Sequence, residues 1–179
     1  MSQSVLRRRN TQSGFGLEAD LAQIRNTESP RPIPGPPSET SQDAYELGHL
    51  LHARLLPLAA EKPTVISITL ATGQVLFQAA VGSGTLPDNE TWVQRKRNSV
   101  LRWGCSTWFL NCKYKGDQEA FRAKFAFSQE QASQYAIHGG GVPIRVKGVE
   151  GIVAVVVVSG LTQDLDHGVI VDVIKENWA

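Results

Sequence analysis

The chain has 179 residues, 18 of them basic and 17 acidic, for a formal net charge of +1. That length suits one domain able to bury its own core, and the balanced charge gives no field that would draw nucleic acid or an acidic membrane surface. Two cysteines, Cys105 and Cys112, are too few for a disulfide framework and poorly spaced for zinc, so they read as reduced thiols.

Met1–Asn10 lacks the apolar core of a secretory signal, and the longest apolar run, Ile152–Val158, is far shorter than a bilayer span. The expectation is a cytoplasmic protein without membrane insertion. Arg7, Arg8 and Arg9 in an acid-free start, followed by Glu18 and Asp20, leave a mitochondrial location as the alternative. Leu17, Leu21 and Ile24 share one side of a short helix. Ser29–Ser38, SPRPIPGPPS, carries five prolines that favour extended, solvated backbone. It reads as a spacer, with recognition by an SH3-like or WW-like domain as the less common use. Residues 1–39 are therefore expected to be a largely disordered arm, and 40–179 a single domain.

Thr40 or Ser41 caps a helix whose Ala44, Leu47, Leu51 and Leu55 recur at helical spacing, closed by Pro57 and Pro63. Thr64–Leu70 is a β-branched strand, Ala71–Gln74 a turn, and Val75–Val81 the returning strand of a hairpin. Pro87 and Asp88 open a second helix that runs to about Trp103, with Gly104 as its stop. Phe121, Phe125 and Phe127 mark a short helix or ordered loop rich in aromatic area. The VPIRV and IVAVVVVS segments pair as strands, and Thr162 caps a last helix carrying Leu165, Val169 and Val173. The order of helix, hairpin, helix, strand pair, helix predicts an α+β fold with helices against a mostly antiparallel sheet.

Three groups of residues carry chemistry. On the second helix, Arg95 and Arg102 lie seven apart on one side, with Lys96 and Arg97 adjacent, and are placed to converge on a carboxylate or phosphate; a solvated, ion-paired face is the plainer use. His138, Gly139, Gly140 and Gly141 give a run whose backbone can approach a ligand closely and offer amides to an anion, or form a tight bulge where a strand begins. Asp166 and His167 open the last helix, where the dipole favours carboxylates; with His138 they would supply a rim for a metal or haem iron. His49 and His52 on the first helix are a further histidine pair, more suited to packing than to ligation. There is no G-x-S-x-G elbow, G-x-G-x-x-G, Walker or H-E-x-x-H sequence, so no catalytic residue is assigned and enzymatic activity is the less supported option.

Trp92–Arg97 (WVQRKR), His138–Ile144 (HGGGVPI) and Val158–His167 (VSGLTQDLDH), in that order, resemble a protein family of fungi and bacteria within the haem-degrading-domain (GlcG/HbpS-like) group. The likeness spans Asp43 to about Ile174 and includes the QDAYELG segment. It implies a profilin-like, three-layer α/β/α fold with a five-stranded, mostly antiparallel sheet, and homo-oligomers in which dimers assemble into a larger ring. It also implies haem as a conceivable cofactor and a ligand rim made from Arg95, Lys96, His138, the three glycines, Asp166 and His167, to which the helix reading adds Arg102. Four tryptophans and six phenylalanines in so small a domain favour subunit or partner contacts. The functional expectation is an oligomeric, non-enzymatic adaptor or assembly protein with a protein partner, ahead of a binder of haem or another anionic metabolite, with haem degradation third.

Overall fold

The computed structural model describes residues 40–146 and 149–178. The expected short helix and proline-rich spacer of the arm lie outside the described residues. Helix α1 spans Thr40–Leu55 and runs into a 3-10 turn at Leu56–Leu58. Strands β1 (Thr64–Leu70) and β2 (Val75–Val81) follow, then α2 (Pro87–Trp103) and three short helices, α3 (Thr107–Tyr114), α4 (Gln118–Lys124) and α5 (Gln129–Ser133). Strands β3 (Gly141–Ile144) and β4 (Ala154–Ser159) and helix α6 (Gln163–Asn177) complete the order.

The four strands form one antiparallel sheet in the order β2-β1-β4-β3. The α+β class, the antiparallel sheet and both strand pairs agree with the sequence reading, but the sheet has four strands among the described residues, not five. The segment between Gly104 and Ala136 shows why. There Ser106, Asp117 and Ser128 each cap a short helix by accepting a backbone N–H, from Phe109, Ala120 and Gln131. Short helices take up this segment, and it adds no strand to the sheet.

Strand alternation builds two cores. Ile66 and Ile68 of β1 and Ala154, Val156 and Val158 of β4 face α1 and α6, where they meet Leu47, Leu51, Val169, Ile170 and Val173. Val65, Val155 and Val157 face the other way, against Val93 and Val100 of α2. The sheet is thus sandwiched between α1 with α6 on one face and α2 on the other. β4 is buried along its whole length, as its unbroken valines require, and each such side chain contributes about 1.5–3 kcal/mol of transfer free energy. Among the described residues no helix is long and apolar enough to cross a membrane.

A third cluster hangs on the end of α2. Phe121, Phe127, Leu110, Ile137 and Cys105 are buried, and Trp103, Tyr114, Phe125 and Tyr135 pack around them. Trp103 touches four of these rings at centroid distances of 4.9–6.3 Å. The aromatic surplus that suggested subunit or partner contacts is therefore largely consumed inside the protomer, as the satellite core of α3, α4 and α5.

Candidate ligand-binding site

Helix α2 directs Val93, Lys96 and Val100 at the sheet, positions three and seven apart, so Lys96 occupies a place on the apolar face where a core residue would stand. Its stem passes Gly141, and Nζ donates to Asp166 Oδ2 at 2.8 Å and to the Val158 carbonyl at 3.0 Å. Asp166, in the first turn of α6, completes its coordination by accepting the Leu161 amide on Oδ1 at 2.9 Å. The two side chains are only 3% and 4% exposed. Burial pulls the Lys96 ammonium below its ordinary pKa and pushes the Asp166 carboxyl above its own, and the attraction between them opposes both shifts.

Close packing around this pair leaves no room for a side chain at any of the three glycines. A Cβ on Gly140, whose φ is +109°, would collide with the Val158 carbonyl and come within 2.7 Å of both Lys96 Nζ and Asp166 Cβ. One on Gly139 would strike the Gln163 carbonyl and the Trp108 ring, and one on Gly141 would press on Thr107, Val100 and the Lys96 stem. The Gly141 amide is already taken by Thr107 Oγ1 at 2.9 Å. The close approach foreseen for this run is made by the protein's own α2, α3 and α6.

The run also fixes what flanks it. His167, beside Asp166, is buried and stacks on Trp108 at 6.1 Å. Its pKa is pushed down to about 3, first by burial and then by Lys175 and Lys96, so the ring is neutral. His138, before the glycines, is half-buried and meets the edge of the half-buried Trp92 at 4.9 Å. Burial lowers its pKa, and Lys96 and Arg95 lower it further. Three buried polar atoms around the run, Trp108 Nε1, His138 Nδ1 and His167 Nδ1, have no hydrogen-bond partner; such groups are normally satisfied.

The structure thus brings Lys96, Gly139, Gly140, Gly141, Asp166 and His167 into one buried assembly, with His138 at its outer edge. The expected ligating trio of His138, His167 and Asp166 does not converge, because Lys96 takes the Asp166 carboxylate. Among the described residues no three His, Cys, Asp or Glu side chains are grouped to hold a metal ion. Arg95 and Arg102 do converge, but on Tyr135. Arg95 Nε donates to its carbonyl at 3.1 Å and Arg102 Nη1 to its hydroxyl at 2.6 Å. The Arg102 guanidinium also lies over Trp103, Phe127 and Tyr135 at 4.8–5.4 Å, which makes it part of the aromatic cluster. His49 is exposed against Tyr45 and Phe77. Sequence reasoning passed over Trp92, Trp108 and Thr107; the signal for the first was its place one turn before Lys96, on the side that reaches His138.

A family model described as "Haem degrading protein HbpS-like" matches residues 40–175. A UPF0303 protein of Streptomyces avermitilis is 36% identical over 141 residues, 78% of this chain and 81% of that protein. The UPF0303 protein YBR137W of Saccharomyces cerevisiae is 38% identical over 128 residues, 72% of this chain and 69% of that one. The crystal structure of Ybr137w superposes with a TM-score of 0.70 over 77% of each chain. The crystal structure of a PduOC:heme complex matches with a TM-score of 0.59 at 17% identity, over 78% of this chain and 94% of that one, a likeness of fold alone.

Proposed function

This chain belongs to the HbpS-like family of haem-degrading proteins, and from that premise we propose that it is a cytoplasmic haem-binding protein whose contact residues are His138 and Trp92. The observation that carries the reading is the state of His138. Its half-buried imidazole is held neutral by burial and by two neighbouring cations, with an indole at its edge; Nδ1 is enclosed and without a partner, which leaves Nε2 as the nitrogen to meet a ligand. Neutral imidazole is the form that ligates iron, and Trp92 offers a ring against which a flat macrocycle can rest. His167 supplies no such contact, because it is sealed behind Trp108.

The fit is to an open face. His138 and Trp92 are both half-buried, so the proposed contact is with a partly exposed edge of the protein. In this proposal Lys96, Asp166, Gly139, Gly140 and Gly141 position the His138 segment, Arg95 adds positive charge beside Trp92, and Arg102 braces the aromatic cluster. When bound, haem supplies a redox-active iron; the protein supplies the imidazole and the ring contact. A homo-oligomer belongs to the same proposal. Among the described residues strand β2 pairs only with β1, and Val75 on it is 51% exposed, so its outer edge offers backbone groups to a second copy. The adaptor reading rested on the aromatic residues and on the basic residues of α2, and the satellite core takes up most of the aromatic residues.

Titration of the purified protein with haemin, followed by absorbance and by light-scattering mass, tests this. The expected result is a saturable Soret shift of fixed stoichiometry on a species heavier than one protomer, with affinity at least about tenfold weaker in His138→Ala, or about 1.4 kcal/mol. Equal affinity in the variant, or no saturable shift in the native protein, contradicts the assignment, and a monomeric mass contradicts the assembly.

A further inference from the structure

Charge is segregated along the fold. Residues 95–145 hold nine Lys and Arg against three Asp and Glu, a net +6, whereas the other described residues, 40–94 and 149–178, hold three against ten, a net −7. Two of the nine cations are neutralised, Lys96 by Asp166, which lies outside that segment, and Arg122 by Glu119. The other seven form no ion pair among the described residues. Four of them gather where α2 turns into α3. Arg102 lies over the Trp103 ring at 5.4 Å, and Arg145 Nη2 donates to the Gly104 carbonyl at 3.1 Å. The Cys105 thiol, pushed up to about 11 by burial, is drawn the other way by the Lys113 ammonium, which belongs to the same corner. Lys124 ends α4 one residue before Phe125, whose ring is 5.1 Å from that of Trp103.

Like charges held together without partners repel one another and draw an anion. Arg102, Lys113 and Lys124 are exposed and Arg145 is half-buried, so the corner is open to a macromolecule. The carboxylates nearest in sequence to the two lysines are already engaged: Asp117 caps α4 through the Ala120 amide, and Glu119 holds Arg122. Two features decide the class of anion. The rings beside the cations are packed on one another, which suits recognition by charge better than the stacking of bases. A long polyanion would also run against the net −7 of the remaining described residues, which a short segment avoids. Guanidinium groups pair bidentately with carboxylates. We infer that this corner is the docking site for a short acidic segment of a protein partner, its carboxylates on Arg102 and Arg145 and on the ammonium groups of Lys113 and Lys124. The site uses neither His138 nor Trp92, and haemin failing to bind leaves it standing.

Fluorescence anisotropy of labelled octaglutamate with the full chain tests the inference, with octaglutamine as the neutral peptide and a thymidine oligonucleotide of equal charge as the nucleic-acid probe. The expected result is saturation at one octaglutamate per chain, with the other two probes at least about tenfold weaker and with affinity falling as sodium chloride is raised. Two double variants attack the corner differently. Arg102→Gln with Arg145→Gln removes the bidentate donors, and Lys113→Glu with Lys124→Glu reverses two exposed charges. Each is expected to weaken octaglutamate at least about tenfold with native circular dichroism, while Lys62→Gln, which removes an exposed cation before β1, leaves it within about twofold. No saturation by the native protein, octaglutamine or the oligonucleotide as tight as octaglutamate, undiminished binding in either double variant that keeps the native spectrum, or an equal loss in Lys62→Gln overturns the assignment.

Discussion

Lys96→Met is expected to destabilise the protein by about 3–5 kcal/mol, the usual cost of removing one partner from a buried ion pair. Methionine nearly matches the apolar stem of lysine, so packing against Gly141 and Val100 is kept and the loss isolates the charge. What remains is the Asp166 carboxylate, 4% exposed, with only the Gly160 and Leu161 amides of the turn before α6 to hold it. Val158 also loses the donor that reaches its carbonyl. The double variant Lys96→Met, Asp166→Leu is expected to recover most of the loss, because replacing both charges with apolar groups of similar volume is often neutral or better. Urea denaturation at pH 7 reads all three proteins. A single-variant loss below about 1 kcal/mol would mean that the pair is solvated and does not tie α2 to α6.

The second large effect is acid sensitivity through His167. Burial holds this imidazole at a pKa of about 3, against an ordinary 6.5. The unfolded chain therefore takes up a proton below pH 6.5 that the folded protein refuses until about pH 3. The contribution is fully present above pH 6.5, is lost as pH falls through that window and is constant below it. At about 1.4 kcal/mol per pH unit the whole effect is on the order of 4–5 kcal/mol. In His167→Phe, which keeps a ring against Trp108, the native protein's extra loss between pH 7 and pH 4, about 3 kcal/mol, is expected to vanish. The titration of Asp166, which burial pushes in the opposite sense, is common to both proteins and cancels in the comparison. Parallel stability curves for the two proteins across this range would show that His167 is hydrated in the folded state.

Local pattern made much of the architecture legible. The helical spacing of Ala44, Leu47, Leu51 and Leu55, the Ala71–Gln74 turn and the valine run of β4 each specify an element with little help from the rest of the chain. The segment between Gly104 and Ala136 was less readable, because three capped turns of five to eight residues are too short for periodicity to declare itself. A fifth strand was expected from family likeness, and among the described residues the sheet has four.

The site was legible as a set of residues and not as an arrangement. His138, the glycines, Lys96, Asp166 and His167 were all singled out from the sequence. Their partners were not, since the Lys96–Asp166 contact joins residues 70 apart and depends on how β3 and β4 bring α2 and α6 together. One clue was available. Lys96 falls three after Val93 and four before Val100, on the face that must be buried, and a lysine there needs a counter-charge. Charge counting along α2 directed attention to Arg95 and Arg102 instead, and these turned out to share Tyr135.

His138 is the residue proposed to receive haem. Crystals grown with haemin, with iron located by its anomalous scattering, test that most directly. The expected result is an iron peak within bonding distance of His138 Nε2, with the macrocycle against Trp92. Iron bound at His167, at a surface without His138, or at no ordered position would contradict it.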